Sequence, residues 1–192
     1  MNTIKRAVTQ YPVLDIIKNR WSPRSFSEKE ISTEDINTIL EAGGWAFSAI
    51  NEQPWRYIIA RRGTDLFNSF FDLLFPGNQP WNKNAAALAI SISKKTFSDN
   101  DKINSSALHD VGAANMLLTL QANSMGIYTH VMGGFNKEKA VRLLHLSEDL
   151  EPVVMIALGY PDNADKLEEP FKTREITPRT RKSLEEIILN HH

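Results

Sequence analysis

The sequence predicts an α/β (α+β) fold in which a mixed central sheet is covered by helices within one domain, residues 1–192. Some segments have the alternating or continuous apolar residues that are typical of strands. Others repeat apolar residues at helical spacing, and the two kinds alternate unevenly along the chain. A chain of 192 residues with 42% hydrophobic side chains is also long and apolar enough to bury one core. We place that core at about residues 12–161. Residues 162–192 are rich in charge and are assigned to a C-terminal arm.

The first half of the chain contains the clearest helix start. Ser32 is a good N-cap residue, and Asp35 stands at the third helical position, as in a capping box. Apolar residues then recur on one face until Gly43 and Gly44, where we expect the helix to end. The other elements predicted in this half are a helix over 11–20 that ends before Pro23, a strand around 55–59 and a helix over 65–75.

The second half contains the longest helical pattern, His109–Met125, with Gly126 as its expected C-cap. The polar stretch at 96–106 is predicted to be a surface loop or a mobile lid. Three apolar segments are predicted to be strands, and two short helices complete this half. The strands are 86–93, 127–132 and 152–160, and the helices are 136–145, capped by Asn136, and 183–189.

Composition and missing motifs exclude several classes of protein. The formal net charge of −1 argues against a general nucleic-acid binder. The absence of cysteine excludes thiolate catalysis, disulfides and iron–sulfur clusters, and the five histidines show no metal-ligand spacing, so no metal is expected. No apolar run is long enough for a membrane span, and the N-terminus lacks a signal peptide, so a cytoplasmic protein is expected.

The common nucleotide and hydrolase motifs are also absent. The sequence has no G-x-G-x-x-G after a strand, no P-loop and no G-x-S-x-G, so none of these standard sites is indicated. No acid–base pair stands out either. If the protein is an enzyme, an organic cofactor is expected to carry the difficult chemistry.

Two arginine pairs, near opposite ends of the chain, suggest an anion site. The stretch "RWSPRSF" contains Arg20 and Arg24, and the stretch "TPRTR" contains Arg179 and Arg181. Guanidinium groups bind phosphate oxygens through two parallel hydrogen bonds, so four of them could converge on one dianion. From the residues alone, an ordinary solvated loop and ordinary surface charge are the favoured explanations.

Seven motifs in a fixed order resemble the nitroreductase family of FMN-dependent oxidoreductases, and they cover about residues 12–188. Two departures occur, because Phe47 stands where the family usually has proline and Trp21 where histidine is common. The motifs are Arg20, Ser22, Arg24 and Phe26; Phe47–Trp55; Asn78 and Trp81; Asp110, Gly112, Ala114 and Asn115; Gly133–Gly134; Leu150–Pro161; and Arg181 with Leu184, Glu185 and Glu186.

The resemblance implies a homodimer that exchanges its C-terminal arm and binds FMN at the interface, each site using both subunits. Arg20, Ser22 and Arg181, joined by Arg179, are then expected to hold the FMN phosphate. Arg24 would reach either the phosphate or the N1–C2 edge of the flavin. The full set of residues expected to bind the cofactor is Arg20, Trp21, Ser22, Arg24, Phe47, Ser48, Ala49, Asn51, Asn78, Gly133, Gly134, Arg179 and Arg181.

Further roles also follow from the resemblance. Ser48 and Asn51 would reach the flavin of the neighbouring subunit, and the Asn78 amide suits the pyrimidine edge because it both donates and accepts hydrogen bonds. Gly133 and Gly134 would let the backbone approach flavin N5. No catalytic acid or base and no metal ligand is assigned.

The expected reaction is hydride transfer from NADH or NADPH through the flavin to a small-molecule acceptor, a nitroaromatic, a quinone or a similar compound, by ping-pong chemistry. Three alternatives remain open from the sequence. One is an FMN enzyme of another reaction, such as dehalogenation, enone reduction or flavin breakdown. The others are a non-catalytic flavin-binding protein and a domain that binds a different phosphate compound.

Overall fold

A four-stranded antiparallel sheet forms the centre of the molecule in the computed structural model, which describes residues 3–190. Its strand order is β1-β2-β4-β3. The strands are β1 (Trp55–Arg61), β2 (Ala87–Lys94), β3 (Tyr128–Met132) and β4 (Leu150–Gly159). The prediction of a helix-covered sheet is confirmed. The last two residues of the predicted arm, 191 and 192, lie outside the described range.

The strand directions differ from the expected mixed sheet, because all three pairs within residues 3–190 are antiparallel. β2 and β3 run parallel to each other, as the helical connection between them requires. They are not neighbours, since β4 lies between them and pairs with both. The inserted strand therefore replaces a parallel pair by two antiparallel ones.

Eight α-helices surround the sheet within residues 3–190. Single 3₁₀ turns lie at Thr3–Lys5, Ala49–Asn51 and Ala164–Lys166. The helices are α1 (Asp15–Asn19), α2 (Thr33–Gly44), α3 (Asp65–Phe71), α4 (Gln79–Asn82), α5 (Ala107–Ser124), α6 (Lys137–Leu143), α7 (Phe171–Ile176) and α8 (Leu184–Ile187). None of them is both long and apolar enough to cross a membrane.

The predicted helix caps are confirmed. The Ser32 hydroxyl accepts the N–H of Asp35 at 3.0 Å at the start of α2, and the Asn136 amide oxygen accepts the N–H of Lys139 at 2.8 Å at the start of α6. Gly126 follows α5 with φ of +74°, the left-handed geometry that a glycine C-cap provides. Local side-chain chemistry therefore sets these three boundaries.

Four predicted helices are shorter than expected, α1 and α3 more than α6 and α8, and α4 was not predicted. Residues 11–14 are not helical, and Leu14 has extended dihedral angles, so α1 begins only at Asp15. The segment 65–75 leaves the helix after Phe71 because Leu74 forms a β-bridge with Phe135. In both places the apolar periodicity extends beyond the helix. The backbone at Leu14 delays the start of α1, and the bridge at Leu74 prevents α3 from continuing.

The core lies on both faces of the sheet, and β2 separates its two parts. Leu88, Ile90 and Ile92 point into one cluster, which contains Phe67 and Phe70 of α3. The alternate residues of β2 are small, and two of them, Ala87 and Ala89, join the other cluster with residues of α2 and α5. β2 therefore presents large side chains to one core cluster and small ones to the other.

The C-terminal arm is partly docked on its own chain. Leu167 and Phe171 pack against the core cluster next to α3, and Glu175 of α7 is only 1% exposed. The first part of the predicted arm, residues 162–192, thus packs on the core through these side chains. Exchange of the arm in a dimer stays a prediction.

Candidate functional site

The segment "RWSPRSF" lies along β3, the strand at one edge of the sheet. Trp21 meets Tyr128 edge-to-face with ring centroids 6.1 Å apart. The carbonyl oxygen of Pro23 lies 2.8 Å from Nδ1 of His130. Since a carbonyl can only accept, Nδ1 carries the proton and donates it. These contacts place the segment beside an otherwise open strand edge.

His130 links this segment to a second part of the site. Its ring stacks on Trp81 with centroids 4.4 Å apart. Burial and, to a smaller extent, the charge of the nearby Arg24 lower the pKa of His130 to about 4, although the bonds to the backbone of Pro23 and Ser22 oppose the shift. The imidazole is therefore neutral at neutral pH. Sequence reasoning missed this residue, whose only signal was a histidine within an apolar strand.

Three guanidinium groups lie close together at the start of this segment. Burial lowers the pKa of Arg20, and the positive charge of Arg181 lowers it further. Burial likewise lowers the pKa of Arg179, to which both other arginines contribute. No ion pair joins any of the three to a carboxylate within residues 3–190. The fold therefore brings together three of the four predicted arginines, all except Arg24, and leaves these three without a carboxylate partner.

Arg179 also has a structural role that the sequence did not indicate. Its two terminal nitrogens donate to the backbone carbonyls of Arg20 and, at 2.6 Å, Lys18. Its Nε is buried and has no partner within residues 3–190. The Nε–H of Arg179 therefore remains for a ligand, while one N–H of each terminal nitrogen attaches the arm to the end of α1.

Arg24 lies over the ring of Trp81. Its guanidinium carbon is 5.7 Å from the centre of the Trp81 ring, within cation–π range. Burial lowers the pKa of Arg24, while the charge of Glu175 raises it. The backbone N–H of Arg24 donates to the Glu175 carboxylate at 2.9 and 3.0 Å.

Gly133 and Gly134 directly follow β3 and meet Asn78. The Asn78 amide nitrogen donates to the Gly134 carbonyl at 3.0 Å. A Cβ on Gly134 would lie 2.7 Å from that nitrogen, whereas a Cβ on Gly133 would meet nothing within 4 Å. β3 has five residues, so the Trp21 end and the glycine end of this surface are ~16 Å apart.

A second group of predicted site residues precedes β1. The N–H of Ala49 donates to the buried Asp110 carboxylate at 2.9 Å, and the Ser48 hydroxyl accepts the N–H of Gln53 at 3.0 Å. Phe47 is 67% exposed, and its ring lies 5.5 Å from that of His109. The loop is thus fixed at its base, and its apolar side chain faces outward.

The same loop contains three residues in the left-handed region, Ile50, Asn51 and Gln53, with φ of 53°, 57° and 51°. For a β-branched residue such as Ile50 this geometry is a true outlier, and each such residue costs about 1–3 kcal/mol. Glu52, within this run, accepts the N–H of Ser98 at 3.0 Å and its hydroxyl at 2.6 Å. The polar loop 96–106 is thereby attached to the strained segment.

One chain does not bring the two groups of residues together. The first group lies along β3 and the second precedes β1, and these strands form opposite edges of the sheet. Two strands lie between them, which separates the edges by ~14 Å at the usual strand spacing. Within residues 3–190, no cluster of three or more histidine, aspartate or glutamate side chains could hold a metal ion.

Residues 17–160 match the family model described as the nitroreductase family. The chain belongs to the nitroreductase family. That match includes every predicted site residue except Arg179 and Arg181, which lie beyond it in the arm.

Individual relatives agree with this membership. One relative is the "Putative NADH dehydrogenase/NAD(P)H nitroreductase" of Archaeoglobus fulgidus. It is 32% identical to this nitroreductase-family chain over 152 residues, which cover 77% of this chain and 84% of the relative. A second relative is the "Major NAD(P)H-flavin oxidoreductase" of Aliivibrio fischeri. The two sequences are 27% identical over 94 residues, which cover 47% of this chain and 43% of the relative. A crystal structure described as an oxidoreductase containing FMN superposes with a TM-score of 0.92 at 32% identity, covering 100% of this chain and 98% of that one.

The two glycines of this nitroreductase-family chain form a matched pair for substitution. Gly134→Ala is expected to destabilise the fold by about 1 kcal/mol, because the new methyl group displaces the Asn78 amide and breaks its bond to the Gly134 carbonyl. Gly133→Ala is the control, since its methyl group enters open space. Urea unfolding of both variants measures the difference, and equal stabilities would contradict the close contact.

The half-buried His130 predicts a loss of stability in acid. The unfolded chain takes up a proton near the usual pKa of 6.5, whereas the folded chain resists it until about 4. Between these values the unfolded state binds more protons, so the free energy of unfolding should fall by roughly 3 kcal/mol as the pH drops from 6.5 to 4. Urea titrations at several pH values measure this slope, and His130→Gln should flatten it. An unchanged slope in the variant would assign the acid sensitivity to other groups.

Proposed function

We propose that this chain is an FMN-dependent oxidoreductase that takes electrons from NADH or NADPH and delivers them to a nitroaromatic, a quinone or a similar acceptor. The observation that carries the proposal is the uncompensated group of Arg20, Arg179 and Arg181 beside the edge of β3. The FMN-containing structure with a TM-score of 0.92 supports the cofactor. The names of the relatives from Archaeoglobus and Aliivibrio support a nicotinamide donor.

The arginine group fits the phosphate of FMN. A terminal phosphate carries nearly two negative charges and several acceptor oxygens, which match several guanidinium groups that lack a carboxylate partner. The buried, unpaired Nε of Arg179 is a further donor that a phosphate oxygen would satisfy. Arg20 and Ser22 face this group from the loop, while Arg179 and Arg181 approach from the arm.

The other end of the β3 edge fits a flat ring. Gly133 has open space where a side chain would stand, so a ring can approach its backbone closely. The Asn78 amide nitrogen is engaged by Gly134, which fixes the orientation of the amide and leaves its oxygen as an acceptor. Arg24, half-buried above Trp81, is the cation nearest to this end and would favour negative charge on a reduced ring.

We assign the second half of each site to a second copy of the chain. The strained loop that contains Phe47, Ser48, Ala49 and Asn51 lies too far from its own β3 edge to complete that site. α5 is apolar on both sides, and Leu108 and Met116, two helical turns apart on its outer face, are 54% and 50% exposed. Such a helix is normally buried all round, which favours a homodimer. Light scattering that finds only monomers at every concentration would overturn the shared site.

Bound FMN would supply the redox chemistry, hydride acceptance from NADH or NADPH and then delivery to the acceptor in a ping-pong sequence. The residues of the chain would bind and orient this cofactor. The arginine group would fix the phosphate, Asn78 would fix the edge of the ring, and the glycines would leave room for the ring. No residue is assigned as a general acid or base, because the contribution that we propose for the site is orientation of the bound groups and electrostatic stabilisation.

The arginine group can be tested by removing one member from each side. The double variant Arg20→Ala, Arg181→Ala should lose at least ~100-fold in FMN affinity, since charge-assisted hydrogen bonds contribute roughly 1.5–3 kcal/mol each. Arg142→Ala, at an exposed position of α6, is the control. Quenching of flavin fluorescence on titration of the apoprotein measures both affinities, and retention of tight binding in the double variant would exclude this phosphate site.

The reductase activity can be tested without knowing the acceptor. Under anaerobic conditions, NADH or NADPH should bleach the flavin absorbance of the holoprotein, and an added quinone or nitroaromatic should restore it. A flavin that is bound but never bleached by either nicotinamide would instead indicate a flavin-binding protein without reductase activity. Restoration only by halogenated phenols or enones would reassign the acceptor class.

A further inference from the structure

A buried carboxylate joins the two halves of the arginine group. Glu175 of α7 is 1% exposed, and its oxygens accept three backbone hydrogen bonds. The N–H of Arg24 donates to both oxygens at 2.9 and 3.0 Å, and the N–H of Ser25 donates to one of them at 2.9 Å. A buried carboxylate is tolerated only when its oxygens are bonded in this way. The arm thus holds the loop through its backbone, which leaves the Arg24 side chain free.

A buried lysine holds the same helix from the other side. Lys5 is 6% exposed, and its Nζ donates to the carbonyl of Arg174 at 2.8 Å and to that of Thr177. These two carbonyls flank Glu175 in the sequence. Burial lowers the pKa of Lys5, while the charge of Glu175 raises it, so the two charges stabilise each other. The 3₁₀ turn at Thr3–Lys5 is thereby attached to the arm.

Lys5 and Glu175 lie outside residues 17–160, the part that matches the family model, so the match gives them no role. Glu175 stands within a few residues of the two arginines of the arm, and Lys5 reaches the same part of the arm through the carbonyls of Arg174 and Thr177. Glu175 precedes Arg179 by four residues and Arg181 by six, and it holds the loop that carries Arg20 and Ser22. The contact is therefore the point at which arm and loop are fixed relative to each other.

We infer that Lys5 and Glu175 form an arm clamp that positions the arginines of the arm and of the loop for recognition of the flavin phosphate. The inference rests on the proposed FMN site and adds two positioning residues to it. The clamp acts through backbone contacts, so neither side chain needs to touch the ligand. The terminal turn of the chain thereby becomes part of the ligand site.

Electrostatics and positioning predict opposite results for Glu175→Gln. This change removes a negative charge near the arginines, so a purely electrostatic effect would strengthen phosphate binding. Loss of the clamp should instead weaken it, because a neutral amide accepts less strongly and its NH₂ group opposes the backbone N–H donors. Lys5→Met, which keeps the length of the side chain, should weaken binding in the same direction with less disturbance of the loop.

The experiment compares FMN with riboflavin, which lacks the phosphate. Apoprotein is titrated with each flavin, and affinity is read from quenched flavin fluorescence. Both variants should lose at least ~10-fold in FMN affinity, equivalent to about 1.4 kcal/mol, and less than ~3-fold in riboflavin affinity. Glu168→Gln and Lys172→Met, on the same arm but outside the clamp, are the controls and should change neither value. Far-UV circular dichroism establishes that each variant is folded.

Trypsin cleavage provides a readout without flavin. Release of the arm should speed cleavage between Arg179 and Lys182 in both clamp variants relative to the controls. Unchanged FMN affinity in both folded variants would overturn the clamp, as would tighter FMN binding by Glu175→Gln. An equal loss of affinity for FMN and for riboflavin would also overturn the clamp, because such a loss indicates general damage to the binding site. A wild-type protein that binds neither flavin would instead refute the proposed function, while the cleavage rates would still test the clamp.

Discussion

The positive charge that the fold concentrates at one place is the constraint on which the arrangement of this site depends. Arg20, Arg179 and Arg181 repel one another, and the partial burial of Arg20 and Arg179 reduces the screening that water would provide. The structure opposes this repulsion with backbone contacts rather than with carboxylates on the guanidinium groups. Carbonyls accept from Arg179, and Glu175 binds the backbone of the loop. The charge therefore stays available to an anion.

The local elements were predictable from the sequence because short-range chemistry determines them. Ser32, Asn136 and Gly126 fix helix ends through contacts within a few residues, and the size alternation in β2 follows from its two packed faces. The strand order was not predictable, since nothing local in β4 indicates that it inserts between β2 and β3. The arginine pairs suggested an anion site, but only the family resemblance favoured their convergence over ordinary surface charge. His130 and Glu175 were missed because their partners lie 107 and 150 residues away.

Strain and exposure occur in the same loop. Ile50, Asn51 and Gln53 have backbone geometry that side chains disfavour, while Phe47 and Ile50 are largely exposed. Two contacts hold this loop in place, Ala49 with Asp110 and Glu52 with Ser98. Such strain usually persists where function needs one conformation. A rigid loop that presents apolar side chains outward is consistent with a surface that completes a site on another copy.

The insertion of β4 also bears on how the chain folds during synthesis. β2 and β3 are complete by residue 132, yet each lacks its shared neighbour until residues 150–159 have been made. During that interval the apolar β2 has one unpaired edge, and such edges promote association between chains. A nascent or truncated chain that ends before β4 would be prone to aggregation. The central strand thus makes the sheet dependent on one of its last-synthesised segments.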